Sequence, residues 1–342
     1  MSEPQPALFI EEVAEHLHAE WNLNPQADDA AVVAALGQAR RAATSLGGPN
    51  VVWGFGPNLW RRLSGGRIPS SVRDFAGVGP NNSAGVPVTQ SDVWLWCMGN
   101  NYPAIWAAAS AAASALAPVA DLARHQRAYK AADSRDPTGF IDGTENPKLD
   151  EALEIALFGD DLPGAQGSAV FVQRWVHNLK AFNRLPVRAQ EDVFGRTKSD
   201  STQLPPDQMP ATSHVSRNTL TDADGEELHI YRRNTPFGGI DAAGTVYIAA
   251  TNDPFRVEEM LRRMFDQVGD GLHDELTRFS TPTSGSWYFV PAMSDLTDVF
   301  GGLDADDAGD DDAGDADEGS PVGSSSSQVG TGHGTLGIGS LR

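Results

Sequence analysis

The 342-residue sequence has a single cysteine, Cys97, so it can form neither an intramolecular disulfide nor a cysteine-rich metal site. Positive charge is also scarce: 25 Lys and Arg stand against 46 Asp and Glu, a formal net charge of −21. That balance disfavours nucleic acid and anionic lipid, because both are bound through clustered positive charge. No apolar run approaches the roughly 18 residues of a membrane-spanning helix, and no export signal is recognisable. We therefore expect a cytoplasmic protein with no membrane and no nucleic-acid partner.

Two successive stretches of the chain share one order of strand and helix patterns. Apolar residues at alternate positions predict strands, and apolar residues three or four apart predict helices. The first half reads β-α-β-β-α-β, with strands at 16–23, 51–55, 93–98 and 122–129 and helices at 28–46 and 103–116. The second half repeats this order, with strands at 169–179, 228–233, 245–250 and 287–290 and helices at 186–194 and 254–268. The predicted fold class is therefore α+β, built from two tandem ferredoxin-like halves.

The predicted domain boundaries follow from this repeat and from the composition of the tail. We expect an N-terminal half at 1–135, a connecting segment at 136–163 and a C-terminal half at 164–295. Residues 296–334 are rich in Asp, Gly and Ser, with nine acidic residues in 304–318, and cannot bury enough apolar surface to fold. They are predicted to be a disordered linker. Residues 335–342 regain three aliphatic side chains, which is the layout of a docking peptide on a long tether.

Three short segments carry residue types suited to chemistry. The first is the turn GFIDGTENP at 139–147, which includes Asp142; taken alone, it is an Asx-type connecting turn. The second is IYRRNTPFG at 230–238, a strand end with a guanidinium and an amide, which alone is a solvated strand terminus. The third is His214 in a polar loop, where an isolated histidine is usually a surface residue.

Together, the G-x-x-D-G turn, the later histidine and the R-x-N-x-P-F-G strand end resemble the dye-decolourising peroxidase family, most closely its B-type branch. The resemblance spans roughly residues 5–292, and the turn with its Thr-Glu-Asn-Pro continuation is its most specific part. It implies a tandem ferredoxin-like α+β barrel that uses haem b to reduce hydrogen peroxide. The implied electron donors are small aromatic, phenolic or dye-like molecules, and the implied assembly is a homo-oligomer, either a dimer or a hexamer.

The resemblance assigns a role to each matching residue. His214 would be the proximal ligand of the haem iron. Asp142 would move a proton between the oxygens of peroxide, and Arg232, with Asn234 beside it, would stabilise the charge on the departing oxygen. Four further residues would hold the haem: Arg196, paired with a propionate, and Thr144, Phe237 and Phe289, lining its pocket.

The hydrogen-bond partner of the proximal histidine departs from the family pattern. Several relatives have an acidic residue near the Phe-Ser-Thr segment that contacts this histidine and makes it a stronger donor. Here Arg278 directly precedes Phe279. Asp274 and Glu275 remain as possible substitutes, and without either of them the reduction potential of the iron would be higher.

The C-terminal peptide resembles the cargo-loading signal of encapsulin systems. Residues 336–341, LGIGSL, match that signal, and they follow a linker on a peroxidase-like body. Glycines let an extended backbone approach a groove whose pockets accept the aliphatic side chains. The resemblance implies an encapsulin shell protein as partner of residues 335–342, and a location inside an encapsulin nanocompartment in the cytoplasm.

Other interpretations of the sequence predict different outcomes. Glu15 with His18 and Glu226 with His229 have the E-x-x-H spacing of di-iron carboxylate bundles, which need four long helices. A haem-storage protein, or a related enzyme that acts on chlorite, could use a similar pocket, although a carrier has no need of an acid–guanidinium pair. Trp94, Trp96 and Trp287 suggest electron transfer, but packing within their strands is the simpler expectation.

Overall fold

The computed structural model describes residues 2–45, 47–78 and 85–303. Its strands are β1 Glu15–Leu23, β2 Asn50–Phe55, β3 Val93–Gly99, β4 Ala120–Tyr129, β5 Ser168–His177, β6 Tyr231–Arg232, β7 Thr235–Gly238, β8 Ala243–Thr251, β9 Ser280–Pro282 and β10 Ser286–Val290. Its α-helices are α1 Asp29–Ser45, α2 Pro57–Leu63, α3 Tyr102–Leu116, α4 Leu149–Ala156, α5 Leu179–Phe182, α6 Val187–Phe194, α7 His214–Asn218, α8 Pro254–Met264 and α9 Met293–Phe300. Short 3₁₀ helices span Pro6–Phe9 and Glu275–Arg278.

The strands form one antiparallel sheet in the order β4-β1-β3-β2-β10-β5-β8-β6, with β7 paired to β8 and β9 paired to β5. Each half therefore has its fourth strand beside its first, followed by its third and second, which is the ferredoxin-like arrangement expected from the sequence. The halves meet where β2 pairs with β10, through Phe55 and Phe289. At the other side of the sheet, β4 lies against β7. The predicted α+β class and tandem repeat are confirmed.

Three predicted element boundaries are wrong by three residues or more. The strand expected at 228–233 is reduced to Tyr231–Arg232, because the Leu228 amide bonds to the Leu220 carbonyl instead of to the sheet. The helix expected to reach residue 268 ends at Met264, since Asp266 adopts a left-handed φ of 51°.

The third correction concerns the predicted linker, which does not begin at residue 296. Helix α9 continues to Phe300, with Leu296 and Phe300 buried and the ring of Phe300 5.2 Å from that of Phe55. The remaining linker residues from 304 onward and the predicted docking peptide at 335–342 lie outside the described residues.

Both faces of the sheet are buried, so most strands are apolar at successive positions. One face carries Leu95 and Trp287 and packs against the helices. The other carries Trp94, Trp96 and Tyr288 in a second apolar cluster. The three tryptophans of β3 and β10 are at most 1% exposed and pack within the fold, as expected.

The second face also contains charged and titratable groups from β1. His16, His18 and Glu20 are each at most 5% exposed. Glu20 forms an ion pair with Arg124 at 2.7 Å, and His16 accepts a hydrogen bond from the Trp96 indole at 3.2 Å. Among the described residues, no helix is both long and apolar enough to span a membrane.

Candidate active site

One cavity gathers most of the predicted site residues. Its walls come from the turn after β4, one face of β5 and β8, the start of α7, the apolar side of α8 and the end of β6. Six of the eight predicted residues line it: Asp142, Thr144, Arg196, His214, Arg232 and Asn234. Segments more than 100 residues apart in sequence thus contribute to a single site.

The other two predicted residues, Phe237 and Phe289, do not line this cavity, so that expectation is wrong. Phe289 lies in β10 with its ring 6.2 Å from the rings of Trp60 and Phe158, fully buried in the core. Phe237 packs beneath the guanidinium of Arg174, 4.4 Å from the ring centre. Both side chains pack against other parts of the fold.

His214 is the first residue of α7 and not part of a loop as predicted. Ser213 caps this helix, because its hydroxyl accepts a hydrogen bond from the Ser216 amide at 3.3 Å. The His214 Nδ1 atom lies 2.7 Å from Asp274 Oδ2 and 3.1 Å from the side-chain nitrogen of Asn218. Nδ1 is therefore engaged, and among the described residues no hydrogen bond is made to Nε2. A ring held in this way presents Nε2 as a metal ligand.

Asp142 follows a turn that holds its backbone in place. Its amide donates to the Ser134 carbonyl at 2.9 Å, and the next residue, Gly143, has a φ of 79° that favours glycine. The Asn234 amide donates to Asp142 Oδ1 at 3.1 Å, while its own carbonyl accepts from the Ile248 amide at 3.3 Å. Asn234 therefore fixes the orientation of the carboxylate from the sheet side.

Arg232 is held by its main chain, which leaves its guanidinium available to the cavity. Asn146 donates to the Arg232 carbonyl at 2.9 Å and accepts from its amide at 2.8 Å. Within the described part of the chain, the guanidinium of Arg232 makes no ion pair. Asn146, near the end of the GFIDGTENP turn, thus positions the main chain that carries Arg232 and Asn234.

The strand segment 231–235 alternates between the two faces of the sheet. Arg232 and Asn234 line the cavity, whereas the residues between and beside them face the second apolar cluster. The Tyr231 hydroxyl donates to Glu11 at 2.9 Å, the Arg233 guanidinium lies 5.1 Å from the Trp96 ring centre, and Thr235 is 2.9 Å from His18 Nε2. The cavity residues are therefore anchored by contacts made on the opposite face.

Arg196 lines the cavity beside the motif and forms an ion pair with Glu145. It also donates to the Ser201 carbonyl at 2.8 Å. Its side chain is 13% exposed, so a positive charge stands at the cavity wall. A guanidinium in this position suits a carboxylate of a bound group.

Sequence reasoning missed the polar wall formed by β5 and β8. Gln173, Trp175 and His177 alternate along β5 and face the cavity, and Thr245 and Tyr247 do so from β8. Polar atoms of Gln173, His177 and Thr245 are buried and have no hydrogen-bond partner among the described residues. Buried groups of this kind indicate a missing partner. The period-2 placement of Gln173 and His177 is the only sequence signal that could have revealed them.

The comparisons with known proteins agree on one family. Residues 133–295 match the family model for the C-terminal region of Dyp-type peroxidases. The chain is 35% identical over 248 residues to a dye-decolorizing peroxidase of Mycolicibacterium paratuberculosis, covering 71% of this chain and 70% of that protein.

Two solved structures are similar in fold. The cryo-EM structure of the encapsulated DyP-type peroxidase from Mycobacterium smegmatis has a TM-score of 0.80 and 30% identity, and the match covers 87% of this chain and 98% of that one. A variant of DypB from Rhodococcus jostii RHA1 in complex with haem has a TM-score of 0.76 and 33% identity, covering 84% and 96%.

Proposed function

The chain belongs to the dye-decolourising peroxidase family of haem peroxidases, and we propose that it reduces hydrogen peroxide while oxidising small aromatic, phenolic or dye-like donors one electron at a time. The observation that carries this proposal is the content of a single cavity. It holds an imidazole backed by a buried carboxylate, and also a carboxylate–amide pair with a guanidinium that forms no ion pair among the described residues. A haem carrier does not need the carboxylate, the amide and the guanidinium.

The residues of the cavity fit a haem, which we propose to be haem b. The Nε2 atom of His214 is available as an iron ligand, and the wall includes apolar side chains of α8 such as Met260 and Leu261 for the porphyrin face. Arg196 offers positive charge for a propionate. Polar atoms of Gln173 and Thr245, which have no hydrogen-bond partner among the described residues, provide further hydrogen-bonding positions. When bound, the haem iron supplies the redox chemistry.

Asp142 is the group that would move the proton of peroxide. Breaking the O–O bond requires a proton to leave one oxygen and arrive on the other, and a carboxylate within hydrogen-bonding reach performs this transfer. The Asn234 side-chain amide orients Oδ1 of Asp142, and Oδ2, which makes no hydrogen bond to any described residue, would face peroxide. The Arg232 guanidinium would stabilise negative charge on the departing oxygen. Asp274 would keep His214 electron-rich by accepting from Nδ1.

An absorption spectrum of the purified, haem-loaded protein tests this function. We expect a Soret band that changes on adding one equivalent of hydrogen peroxide and returns when a phenolic donor is added, with the donor oxidised. A Soret band that peroxide leaves unchanged would identify a haem carrier and overturn the proposal. Iron without porphyrin would instead favour the di-iron interpretation, although Glu15 and His18 lie on a strand here and not on a bundle helix.

We further propose that residues 335–342 load the enzyme into an encapsulin shell in the cytoplasm. The support is the peptide LGIGSL itself, together with the similarity to a DyP-type peroxidase whose structure is described as encapsulated. A homo-oligomer, dimer or hexamer, is the proposed form of the cargo.

A further inference from the structure

A second carboxyl–imidazole pair lies in the wall of the same cavity. Asp136 Oδ2 is 3.7 Å from His177 Nε2, and both side chains line the cavity while being only 13% and 6% exposed. We propose that Asp136 and His177 form a proton-holding pair that takes up protons from solvent and passes them, through water in the shared cavity, to the chemistry at Asp142. This inference rests on the proposed peroxidase function.

The two oxygens of the Asp136 carboxyl have different surroundings. Oδ1 accepts a hydrogen bond from the Thr138 amide at 2.9 Å and another from the Thr138 hydroxyl. Oδ2 faces His177 and makes no hydrogen bond to any described residue. The turn thus anchors the carboxyl through one oxygen and leaves the other to carry a proton.

The imidazole of His177 is arranged in a complementary way. Its Nδ1 atom is 2.8 Å from the Ser280 hydroxyl, which fixes the ring. Its Nε2 atom is buried and has no hydrogen-bond partner among the described residues. A buried polar atom without a partner indicates that a proton or a water molecule engages it in the working protein.

A short hairpin connects this pair to Asp142. The Asp136 amide donates to the Phe140 carbonyl at 3.0 Å, and the Asp142 amide donates to the Ser134 carbonyl at 2.9 Å. The two carboxyls therefore stand on the two legs of one hairpin, and both face the same cavity. The hairpin therefore holds the two carboxyls at a fixed separation, and the cavity between them can contain water.

Electrostatics favour a proton on Asp136 in mildly acidic solution. Burial, together with the nearby charge of Asp142, raises the pKa of Asp136 to about 6, although the hydrogen bonds from Thr138 oppose this rise. Burial lowers the pKa of His177 to about 4, so the imidazole is neutral while the carboxyl is protonated.

The other titratable groups near Asp136 leave this proton in place. They are Asp142 on the hairpin, Tyr129 at the end of β4, Arg135 beside Asp136, and Lys198 after α6. Arg135 donates to the carbonyls of Gly139 and Lys198, and the Lys198 amine donates to Gln190. Neither cation forms an ion pair with Asp136 within the described residues, so the carboxyl lacks a counter-charge that would keep it ionised.

The reduction of hydrogen peroxide consumes protons, and a group at the cavity wall can supply them. Converting H₂O₂ to two water molecules breaks one O–O bond and forms two O–H bonds, and it consumes two electrons and two protons. Two donor molecules provide the electrons. Asp142 rearranges a proton that peroxide already carries. The two additional protons equal in number those that two phenolic donors lose on oxidation, and a proton that a donor releases outside the cavity must enter it again from solvent.

The pH dependence of turnover in Asp136→Asn tests the inference on the holoenzyme. Asn keeps an oxygen that accepts from Thr138 but cannot hold a proton. We expect turnover with a phenolic donor to fall roughly 10-fold at pH 5, with a deficit that shrinks as the pH rises above 6, because the wild-type carboxyl is then ionised as well. The control is Asp133→Asn, an acid with a side chain that is 65% exposed, which should keep the wild-type profile.

Two outcomes would overturn the proposal. An unchanged pH profile in Asp136→Asn would show that no proton passes through this residue. A loss by the same factor at every pH would show that Asp136 only shapes the turn. If instead the wild-type Soret band fails to respond to peroxide, the proposed function fails, and the proton-delivery role of the pair fails with it.

Infrared spectroscopy of the holoprotein provides a readout independent of activity. We expect a carboxylic acid carbonyl band that disappears as the pH rises through about 6 in the wild type and in Asp133→Asn, and that is missing from Asp136→Asn. His177→Phe, which removes the facing nitrogen, should move the midpoint of this band to higher pH. A band that persists in Asp136→Asn, or an unmoved midpoint in His177→Phe, would contradict the pair.

Discussion

Asp274 Oδ2 lies 2.7 Å from Nδ1 of His214, and the Asp274 side chain is fully buried. The alternative partner, Glu275, pairs with Arg278 at the surface instead. Asp274 Oδ1 accepts from the Leu276 amide at 2.9 Å, so the carboxylate is held in place by the 3₁₀ helix that follows it. Of the two possible partners, Asp274 is therefore the one that contacts the histidine.

Asp274→Asn should weaken the electron donation of His214 to iron. We expect a higher ferric/ferrous reduction potential, and activity or haem affinity lower by roughly 10- to 100-fold, because a neutral amide stabilises the imidazole less than a carboxylate does. Spectroelectrochemical titration of the haem-loaded protein measures the potential. Glu275→Gln is the matched control and should leave the reduction potential unchanged. An unchanged potential in Asp274→Asn would show that the contact between Asp274 and His214 has no electronic role.

Asp142→Ala and Arg232→Leu should each slow the reaction with hydrogen peroxide. The first removes the proton-transferring group, typically worth about 10²- to 10⁴-fold, and the second removes the positive charge beside the departing oxygen. Stopped-flow recording of the Soret change gives the rate constant. Asp160→Asn, an exposed acid outside the cavity, is the control. Peroxide rates equal to wild type in both cavity variants would remove these residues from the mechanism.

Deleting residues 335–342 should abolish encapsulation without affecting peroxidase activity, because the peptide follows an acidic and Gly/Ser-rich segment of the sequence and contains none of the predicted site residues. Co-expression with an encapsulin shell protein, followed by size-exclusion chromatography and activity staining of the shell fraction, measures loading. Replacing Leu336, Ile338 and Leu341 by serine should have the same effect. Shell-associated activity in the truncated protein would show that another surface carries the cargo.

Acid should destabilise the fold through His16. Burial, aided by the charge of Arg233, lowers its pKa from 6.5 to about 3. The unfolded chain therefore binds this proton first as the pH falls, and the free energy of unfolding decreases from about pH 6.5 down to about pH 3. The shift corresponds to on the order of 4 to 5 kcal/mol.

Denaturant unfolding at pH 7 and pH 4 tests this dependence. His16→Gln should lose less stability between the two pH values than the wild type does, although the loss of packing against Trp96 should lower its stability at pH 7. His125→Gln, at an exposed position of β4, should keep the wild-type slope. Equal slopes in wild type and His16→Gln would mean that His16 stays neutral in both states.

The repeated order of strands and helices was predictable from the sequence because local periodicity reports burial directly. Helix α1 and strand β3 illustrate this, since α1 is one residue shorter than predicted at each end and β3 is one residue longer at its C-terminal end. The shortened β6 was not predictable. The Asn146 side chain forms hydrogen bonds with both the amide and the carbonyl of Arg232. A contact between residues 86 positions apart produces no periodic pattern in the sequence.

The site was predictable where a motif fixes both residue type and order. Asp142, His214 and Arg232 all line one cavity, as the resemblance implied. The resemblance also placed Phe237 and Phe289 in the pocket. Phe237 lies five positions from Arg232, and because side-chain direction reverses at each residue of a strand, it faces the other side of the sheet. Phe289 packs against other aromatic rings of the core instead. Asp136 and His177 carried no motif of their own, because their pairing depends on the hairpin and β5 meeting in space.

The alternation of residues 231–235 gives positions outside the cavity an influence on reactivity. A larger or smaller side chain at Trp96 or His18 would shift Arg233 or Thr235, and the backbone would carry that shift to Arg232 and Asn234. If the proposed function holds, substitutions among the buried aromatic residues would therefore adjust the rate of peroxide cleavage gradually, while every residue of the cavity stays the same. Libraries aimed at the far side of the sheet offer a way to tune this enzyme while its reactive groups stay constant.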